Sequence, residues 1–332
     1  MRIVLMKGDF GDGIRKERDM EMLTYSEFVK YLRENILTAM GPAYAKAQVS
    51  VGPVAKLGSR YKGLSVRQAG QKAAVTVNLD DLYADYRQGR RAEDILKETA
   101  EAASKVPAEH DFGWVENLEE VRPHLFVRLS NAVNNHELLQ KVPHRIITDL
   151  ALTAHVEISL SGRKEALCST MVNNTLLRMY GLEADELIDL ALQNSVARMP
   201  ALIERTDFFM RRWNMPGDSK GKTEMMTVTN RQMINGAAVL FYPGVLDMLG
   251  RTLGDYYVIP SSIHEVLAIP EGQADFRGLS DLVKHVNSVA VSPEEKLSDH
   301  LYHYDCAAEQ FETAEAYRRR CGLDSGEEEL KV

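Results

Sequence analysis

The chain has 332 residues, of which 45% are hydrophobic and 27% charged, a composition typical of a globular protein and not of a disordered or fibrous one. Forty basic against 48 acidic side chains give a formal net charge of -8, which disfavours nucleic acid as a partner because no excess positive charge attracts phosphate. No apolar stretch approaches the roughly 18 residues of a membrane span, so no membrane partner is predicted.

Three cysteines, Cys168, Cys306 and Cys321, are too few and too scattered for a disulfide framework or a paired-cysteine zinc site. We interpret them as free thiols in a reducing cytoplasm, and no cofactor is predicted.

Residues 1–21 are predicted to form a disordered leader. Residues 7–22 are charged, contain several glycines and lack periodicity. A purine-rich coding sequence for Lys16-Glu17-Arg18 would resemble a ribosome-binding site, so we expect the natural start at Met20 or Met22. The glycine-rich run at residues 8–13 lacks the Lys-Ser/Thr of a phosphate-binding loop.

Residues 22–108 are predicted to form an N-terminal αβββαα unit. Thr24 and Glu27 have capping-box spacing, and apolar residues at helical intervals predict a helix that ends at Gly41. Strands are expected at 47–57, 60–68 and 75–77, followed by helices near 80–86 and 92–105.

Residues 109–305 are predicted to form the main α+β domain, with mainly antiparallel sheet flanked by helices. Its clearest strand is 149–160, where apolar residues alternate with polar ones, so one face is expected in the core and the other in solvent. The pattern also predicts helices at 173–180, 184–197, 201–213 and 245–253, and strands at 125–129, 166–171, 225–229 and 237–242. Residues 306–332 are predicted to form a charged helix, 307–320, and an acidic tail.

Three segments of this sequence resemble a family of bacterial proteins, common in gut anaerobes, known only as a domain of unknown function. They are Val228-Thr229-Asn230 with Gly236-Ala237-Ala238, then residues 257–266 (YVIPSSIHEV), then residues 295–302 (EKLSDHLY). We call them the first, second and third shared segments. The resemblance extends from about Leu23 to Tyr304 and implies a domain without implying a mechanism.

The second shared segment contains the weak catalytic candidates His264, Glu265, Ser261 and Ser262. In a strand, His264 and Glu265 point to opposite faces, which favours a buried, hydrogen-bonded structural histidine. If the Pro260 turn distorts the strand, either serine could approach His264 as nucleophile and base, although the glycines of a nucleophile elbow are missing.

Polar residues on one face of the 149–160 strand are the weak ligand-binding candidates. Asp149, His155 and Glu157 share that face, and Asn230 in the first shared segment is a further candidate. A fourth group, His300, His303, Asp305 and Cys306, contains metal-competent atoms, but a strand would place only two ligands on each face, so no metal site is predicted.

Two functional classes stay open from the sequence. The first is a cytoplasmic binding or interaction protein without catalysis, whose partner is a protein or a small molecule. The alternative is a hydrolase-like enzyme centred on His264 with a nearby serine or carboxylate, for which the histidine must be accessible and within hydrogen-bond reach of its partner.

Overall fold

The computed structural model describes residues 22–70, 74–104, 113–158, 169–213 and 224–323. The described residues divide into two compact units. Residues 22–52, 62–70 and 74–104 form the first unit, while 53–61 and everything from 113 onward form the second. The predicted leader, most of the acidic tail and Cys168 lie outside the described residues.

The first unit has the predicted order αβββαα. Its elements are α1 (Tyr25–Met40), the first part of β1 (Gln48–Lys56), the later part of β2 (Ser59–Arg67), β3 (Val75–Asn78), α2 (Leu79–Arg87) and α3 (Ala92–Ser104), with the strands in the order β1-β2-β3. The predicted capping box is present, since Glu27 accepts a hydrogen bond from the Thr24 N–H at 2.9 Å. A core of Phe28, Leu32, Ile36 and Ile95 holds the helices together.

A four-stranded antiparallel sheet opens the second unit. Its strands are β4 (Leu125–Asn131), β5 (His144–Ile147), β6 (Leu150–Glu157) and β7 (Ser169–Met171); β6 is central, between β4 and β5, and β7 pairs with the later part of β6. The helices of this part are α4 (Leu118–Val121), α5 (His136–Leu139), α6 (Asn174–Tyr180) and α7 (Ala184–Arg198).

A six-stranded antiparallel sheet completes the second unit, in the order β13-β12-β10-β11-β9-β8. The strands are β8 (Ala201–Arg205), β9 (Met226–Asn230), β10 (Tyr256–Ile259), β11 (Val266–Pro270), β12 (Tyr302–Asp305) and β13 (Gln310–Thr313). The helices are α8 (Thr206–Arg212), α9 (Val245–Leu253), α10 (Phe276–Val289) and α11 (Ala314–Arg320). The predicted α+β class with antiparallel sheets is therefore confirmed.

One hydrophobic core connects the two sheets of the second unit. It contains residues of β4 and β6, of helix α7, and of the larger sheet, such as Leu152, Leu187, Val228 and Val258. A 3₁₀ helix, Gly236–Phe241, belongs to the same core, and its residues 236–240 are almost completely buried.

Three predicted elements are wrong. Residues 237–242 form this 3₁₀ helix and not a strand, because a short apolar run that is buried all round has no periodicity to identify it. The predicted helix 201–213 starts with strand β8, whose Ile203 pairs with Val228. In place of the predicted helix 307–320, residues 310–313 form β13, which pairs with β12, and the helix begins at Ala314 with Thr313 as its N-cap.

The predicted solvent-facing side of 149–160 is also wrong. Every residue of β6 from Leu150 to Val156 is buried, including Thr153 and His155. Leu139 and Val142 pack over Ala151 on the supposedly polar side. The small and polar side chains that alternate along β6 with the core residues are therefore buried too, in a second packed layer. Among the described helices, none combines the length and apolar character needed to cross a membrane.

The side chain of His303, in β12 of the six-stranded sheet, packs against helix α11. Its side chain is 0% exposed, and its ring stacks on Tyr317 of α11 with 3.5 Å between ring centroids. Burial lowers the pKa of His303, and this effect outweighs the raising effect of the Glu271 carboxylate, whose oxygen lies 3.5 Å from Nε2, and of Asp255 and Asp305.

We predict that this neutral histidine makes the protein less stable in acid. In the unfolded chain the imidazole takes up a proton near pH 6.5, whereas the folded protein resists protonation, so stability is present above about pH 6.5 and is lost as the pH falls below it, by up to about 1.4 kcal/mol per pH unit. His303→Phe keeps a ring for Tyr317 and removes the titration. Denaturant unfolding from about pH 7 to pH 5 should show a shallower pH dependence for the variant; identical slopes would contradict the prediction.

Candidate functional site

The second shared segment places His264 in the loop between β10 and β11, outside the strands, so the strand alternation expected for His264 and Glu265 does not apply. The Asn235 N–H donates to His264 Nδ1 at 3.2 Å, and Nε2 lies 3.6 Å from Glu295 Oε1. Because Nδ1 accepts this hydrogen bond, the one proton of the neutral imidazole lies on Nε2, on the side of Glu295. Neither nitrogen is directed at a serine.

Glu265 holds the two serines of this loop. The hydroxyls of Ser261 and Ser262 donate to Glu265 Oε1 at 2.8 and 3.1 Å. The Ser262 hydroxyl also accepts from the His264 N–H at 3.0 Å. A nucleophilic serine needs a base that accepts its proton, and here the hydroxyls and the carboxylate brace the turn. The four catalytic candidates are thus close together, but His264 is not paired with either serine.

The first shared segment packs directly on this loop. Thr229 donates its hydroxyl to the His264 carbonyl at 2.7 Å, and Gly236 lies so close that a Cβ there would come within 2.4 Å of the same carbonyl oxygen. Asn230, a predicted ligand candidate, is fully buried and uses its amide to donate to the Ile234 carbonyl at 2.8 Å. The Asn230 amide therefore stabilises the turn between residues 230 and 234.

The third shared segment is attached through Asp149, another ligand candidate. Asp149 precedes β6, and its carboxylate accepts from the Ser298 and Tyr302 hydroxyls, each at 2.7 Å. Burial, and then the Asp149 carboxylate, raises the pKa of Tyr302. Asn131 of β4 donates to the Leu297 carbonyl at 3.0 Å. These bonds tie the four-stranded sheet to the third shared segment.

The four-stranded sheet has a face opposite the main core, which we call the second face. Paired residues of antiparallel strands point to the same side, and the pairing places His144, Thr153 and Arg128 in one row across β5, β6 and β4. Ile146, Ala151 and Ser130 form the next row. His155 and Glu157 continue the face along β6.

Arg128 has no hydrogen-bond or ion-pair partner for its guanidinium among the residues that the structure describes, and its Nε is completely buried. Burial lowers its pKa, and no carboxylate opposes that effect. An unpaired buried charge is strongly unfavourable, and arginine does not lose its proton in proteins. This makes Arg128 the most unusual charged group of the second face.

Two neighbours on the second face, Ser130 and His155, supply no negative charge to Arg128. The Ser130 hydroxyl is buried and has no hydrogen-bond partner within the described ranges. His155 lies 3.1 Å from the Thr153 hydroxyl through Nε2, and its pKa is held well below the usual value by burial and then by the Arg128 charge. His155 is therefore neutral and supplies no counter-charge to Arg128.

The second face opens to solvent along β5. Ile146 is 50% exposed, and His144 is partly exposed. His144 Nδ1 donates to the Val142 carbonyl at 2.9 Å, because a carbonyl oxygen only accepts. Its Nε2 has no partner among the described residues.

Glu157, the last ligand candidate, does not neutralise Arg128. Its carboxylate pairs with Arg198, which also donates to the Pro123 carbonyl at 2.6 Å. Both residues border a cavity of about 340 Å³ together with Met199, Gln232 and Ile234. The two charges balance each other, although the Arg198 Nε, like that of Arg128, is buried without a hydrogen-bond partner among the described residues.

The fourth group lies in or next to β12. Among the described ranges, no three His, Cys, Asp or Glu side chains are placed to hold a metal ion. His303 and Asp305 are buried in β12, and the Cys306 thiol, whose pKa burial raises to about 11, lies beside Asp255.

Sequence reasoning missed Arg128, Ser130 and His144. The signal for Arg128 was visible, because it is the one charged residue in the otherwise apolar and small-polar strand LFVRLSN, and charged residues are rarely buried without a partner. Ser130 and His144 gave no signal of their own, since only strand pairing brings them beside Arg128.

Comparison with known proteins gives one match. A family model described as a family of unknown function (DUF5688) matches residues 25–306, which include all three shared segments. No curated protein and no solved structure matches the chain.

Gly236→Ala tests the packing of the first two shared segments. Because the new methyl would meet the His264 carbonyl oxygen at 2.4 Å and the Asn230 nitrogen at 2.8 Å, we expect a loss of about 2–4 kcal/mol of unfolding free energy. Gly272→Ala is the matched control, since its methyl would meet nothing within 4 Å. Equal unfolding free energies of the two variants in denaturant titrations would contradict the described packing.

Proposed function

Because the chain belongs to this family of unknown function, no activity comes with the assignment, and we propose from its geometry that it is a cytoplasmic binding protein without catalysis. Its ligand site is the second face of the four-stranded sheet. The observation that carries the proposal is Arg128, a partly exposed residue whose Nε is buried and whose guanidinium has no partner among the described residues, on the same face as the Ser130 hydroxyl, which also has none among them. Buried polar groups are nearly always satisfied in native proteins, and exceptions call for an absent partner such as a ligand.

The hydrolase alternative has less support from the geometry around His264. Its Nδ1 accepts from the Asn235 N–H, and both loop serines donate to Glu265. A hydrolase would have to break these bonds to create a serine–histidine pair. The hydrogen bond from Asn235 to His264 is sufficient to explain a half-buried histidine in this loop, since it joins the chain around the first shared segment to the second.

The experiment that tests the proposal blocks the entrance of the second face. Ile146→Trp enlarges an exposed residue beside His144, and Val133→Trp is the matched control, because Val133 is exposed (69%) in the same unit but follows β4. In thermal-shift and native mass spectrometry screens of a small-molecule fragment library, we expect fragments that bind the wild type and Val133→Trp to lose binding to Ile146→Trp.

A parallel measurement addresses the hydrolase. Incubation with a fluorophosphonate reagent should leave Ser261 and Ser262 unmodified, because both hydroxyls are held by the Glu265 carboxylate in the turn and neither is bonded to the His264 imidazole. Modification of either serine that disappears in His264→Gln would overturn the proposal in favour of the hydrolase. Fragment binding that is equal in Ile146→Trp and Val133→Trp would move the ligand site away from the second face.

A further inference from the structure

The second face contains a positive charge with no negative charge to match it among the described residues. On β4 and β6 the side chains that share the face with Arg128 are neutral, except Glu157, whose carboxylate is already paired with Arg198. His155 stays neutral beside Arg128. Within the described residues, the three strands thus leave the positive charge of Arg128 without a counter-charge on the second face.

The donors of the face are suited to oxygen acceptors. A guanidinium presents up to five N–H donors in a planar fork that fits two oxygens of a carboxylate or phosphate. The Ser130 hydroxyl, two residues along β4 on the same side, is a buried donor without an acceptor. The Thr153 hydroxyl lies on β6 opposite Arg128 and is already within 3.1 Å of His155 Nε2.

His144 stands at the open end of the same row. Its Nδ1 is committed to the Val142 carbonyl, which leaves Nε2 available. Adjacent strands lie about 4.8 Å apart, so His144 and Arg128, two strands apart, are separated by about 10 Å at their backbones. Thr153 between them is 0% exposed, so His144 contributes nothing to a small anion at Arg128.

We infer that the ligand presents an oxyanion, a carboxylate or a phosphate, to Arg128, with Ser130 donating a hydrogen bond to it. This inference rests on the proposed function and adds the chemical class of the ligand. It also assigns Arg128 a binding role that opposes stability: without the anion, the guanidinium is an uncompensated charge in the sheet.

The test measures binding and ligand-free stability in the same variants. Sodium phosphate, sulfate and acetate are titrated against sodium chloride at equal ionic strength, with thermal shift and calorimetry as readouts. Arg128→Met removes the charge at similar length, and Arg128→Lys keeps the charge without the fork. Arg145→Lys is the matched control, because Arg145 lies on the opposite face of β5 and is paired with Asp185 and Asp189 at 2.8 Å each.

We expect phosphate or acetate to stabilise the wild type and Arg145→Lys, and its affinity to fall about 10- to 100-fold in Arg128→Met, with a smaller loss in Arg128→Lys. In chloride, Arg128→Met should melt at the same or a higher temperature than the wild type, which a purely structural arginine would not allow. If Arg128→Met does not fold, Arg128→Lys decides: unchanged anion affinity in that variant overturns the inference.

Other outcomes separate this inference from the proposed function. Anions that bind the wild type and Arg128→Met equally, or that do not bind the wild type at all, overturn the oxyanion. If neutral or cationic fragments bind instead and are lost in Ile146→Trp, the ligand class is wrong while binding at the second face stands. If no fragment of any charge depends on Ile146, both proposals fail.

Discussion

The second unit depends on the position of one carboxylate. Asp149 stands at the start of β6 and accepts hydrogen bonds from Ser298 and Tyr302, so the four-stranded sheet is bonded to β12 of the six-stranded sheet. The third shared segment makes a further contact, because the Glu295 carbonyl accepts a hydrogen bond from the Ile263 N–H at 2.9 Å and so holds the loop that contains His264. Thr229 bonds that loop in turn. Hydrogen bonds to a charged acceptor contribute more than neutral ones, which makes Asp149 the strongest connection in the series.

The three shared segments are therefore one structural junction. They are distant along the chain but meet around the His264 loop, where Gly236 permits a backbone approach that no side chain allows. The residues that make the sequence recognisable as a family are in this way explained by packing and hydrogen bonds. The residues on which the proposed ligand site rests, Arg128 and Ser130, lie elsewhere, on the far side of the four-stranded sheet from the main core.

Much of the fold could be predicted from the sequence, and the failures have physical causes. The αβββαα order and strand 149–160 followed from capping residues and alternation, which are local signals. The 3₁₀ helix at 236–241 was missed because full burial removes periodicity, and β8 and β13 were missed because pairing with β9 and β12 overrode their helical pattern. The proposed site follows from the sequence only in part: His155 and Glu157 lie on a strand of the second face, but the Arg128 row depends on register between three strands, which no local pattern encodes.

The central claim, that Asp149 joins the two sheets through the third shared segment, is tested most directly by a double-mutant cycle. Asp149→Ala and Tyr302→Phe are combined, and unfolding free energies of the four proteins are measured in denaturant. We predict a coupling energy of about 1–3 kcal/mol, because the bond is to a charged acceptor. Tyr304→Phe, in the same strand but bonded to Asp247, is the control and should combine with Asp149→Ala additively within about 0.5 kcal/mol. Additivity of Asp149→Ala with Tyr302→Phe would contradict the account.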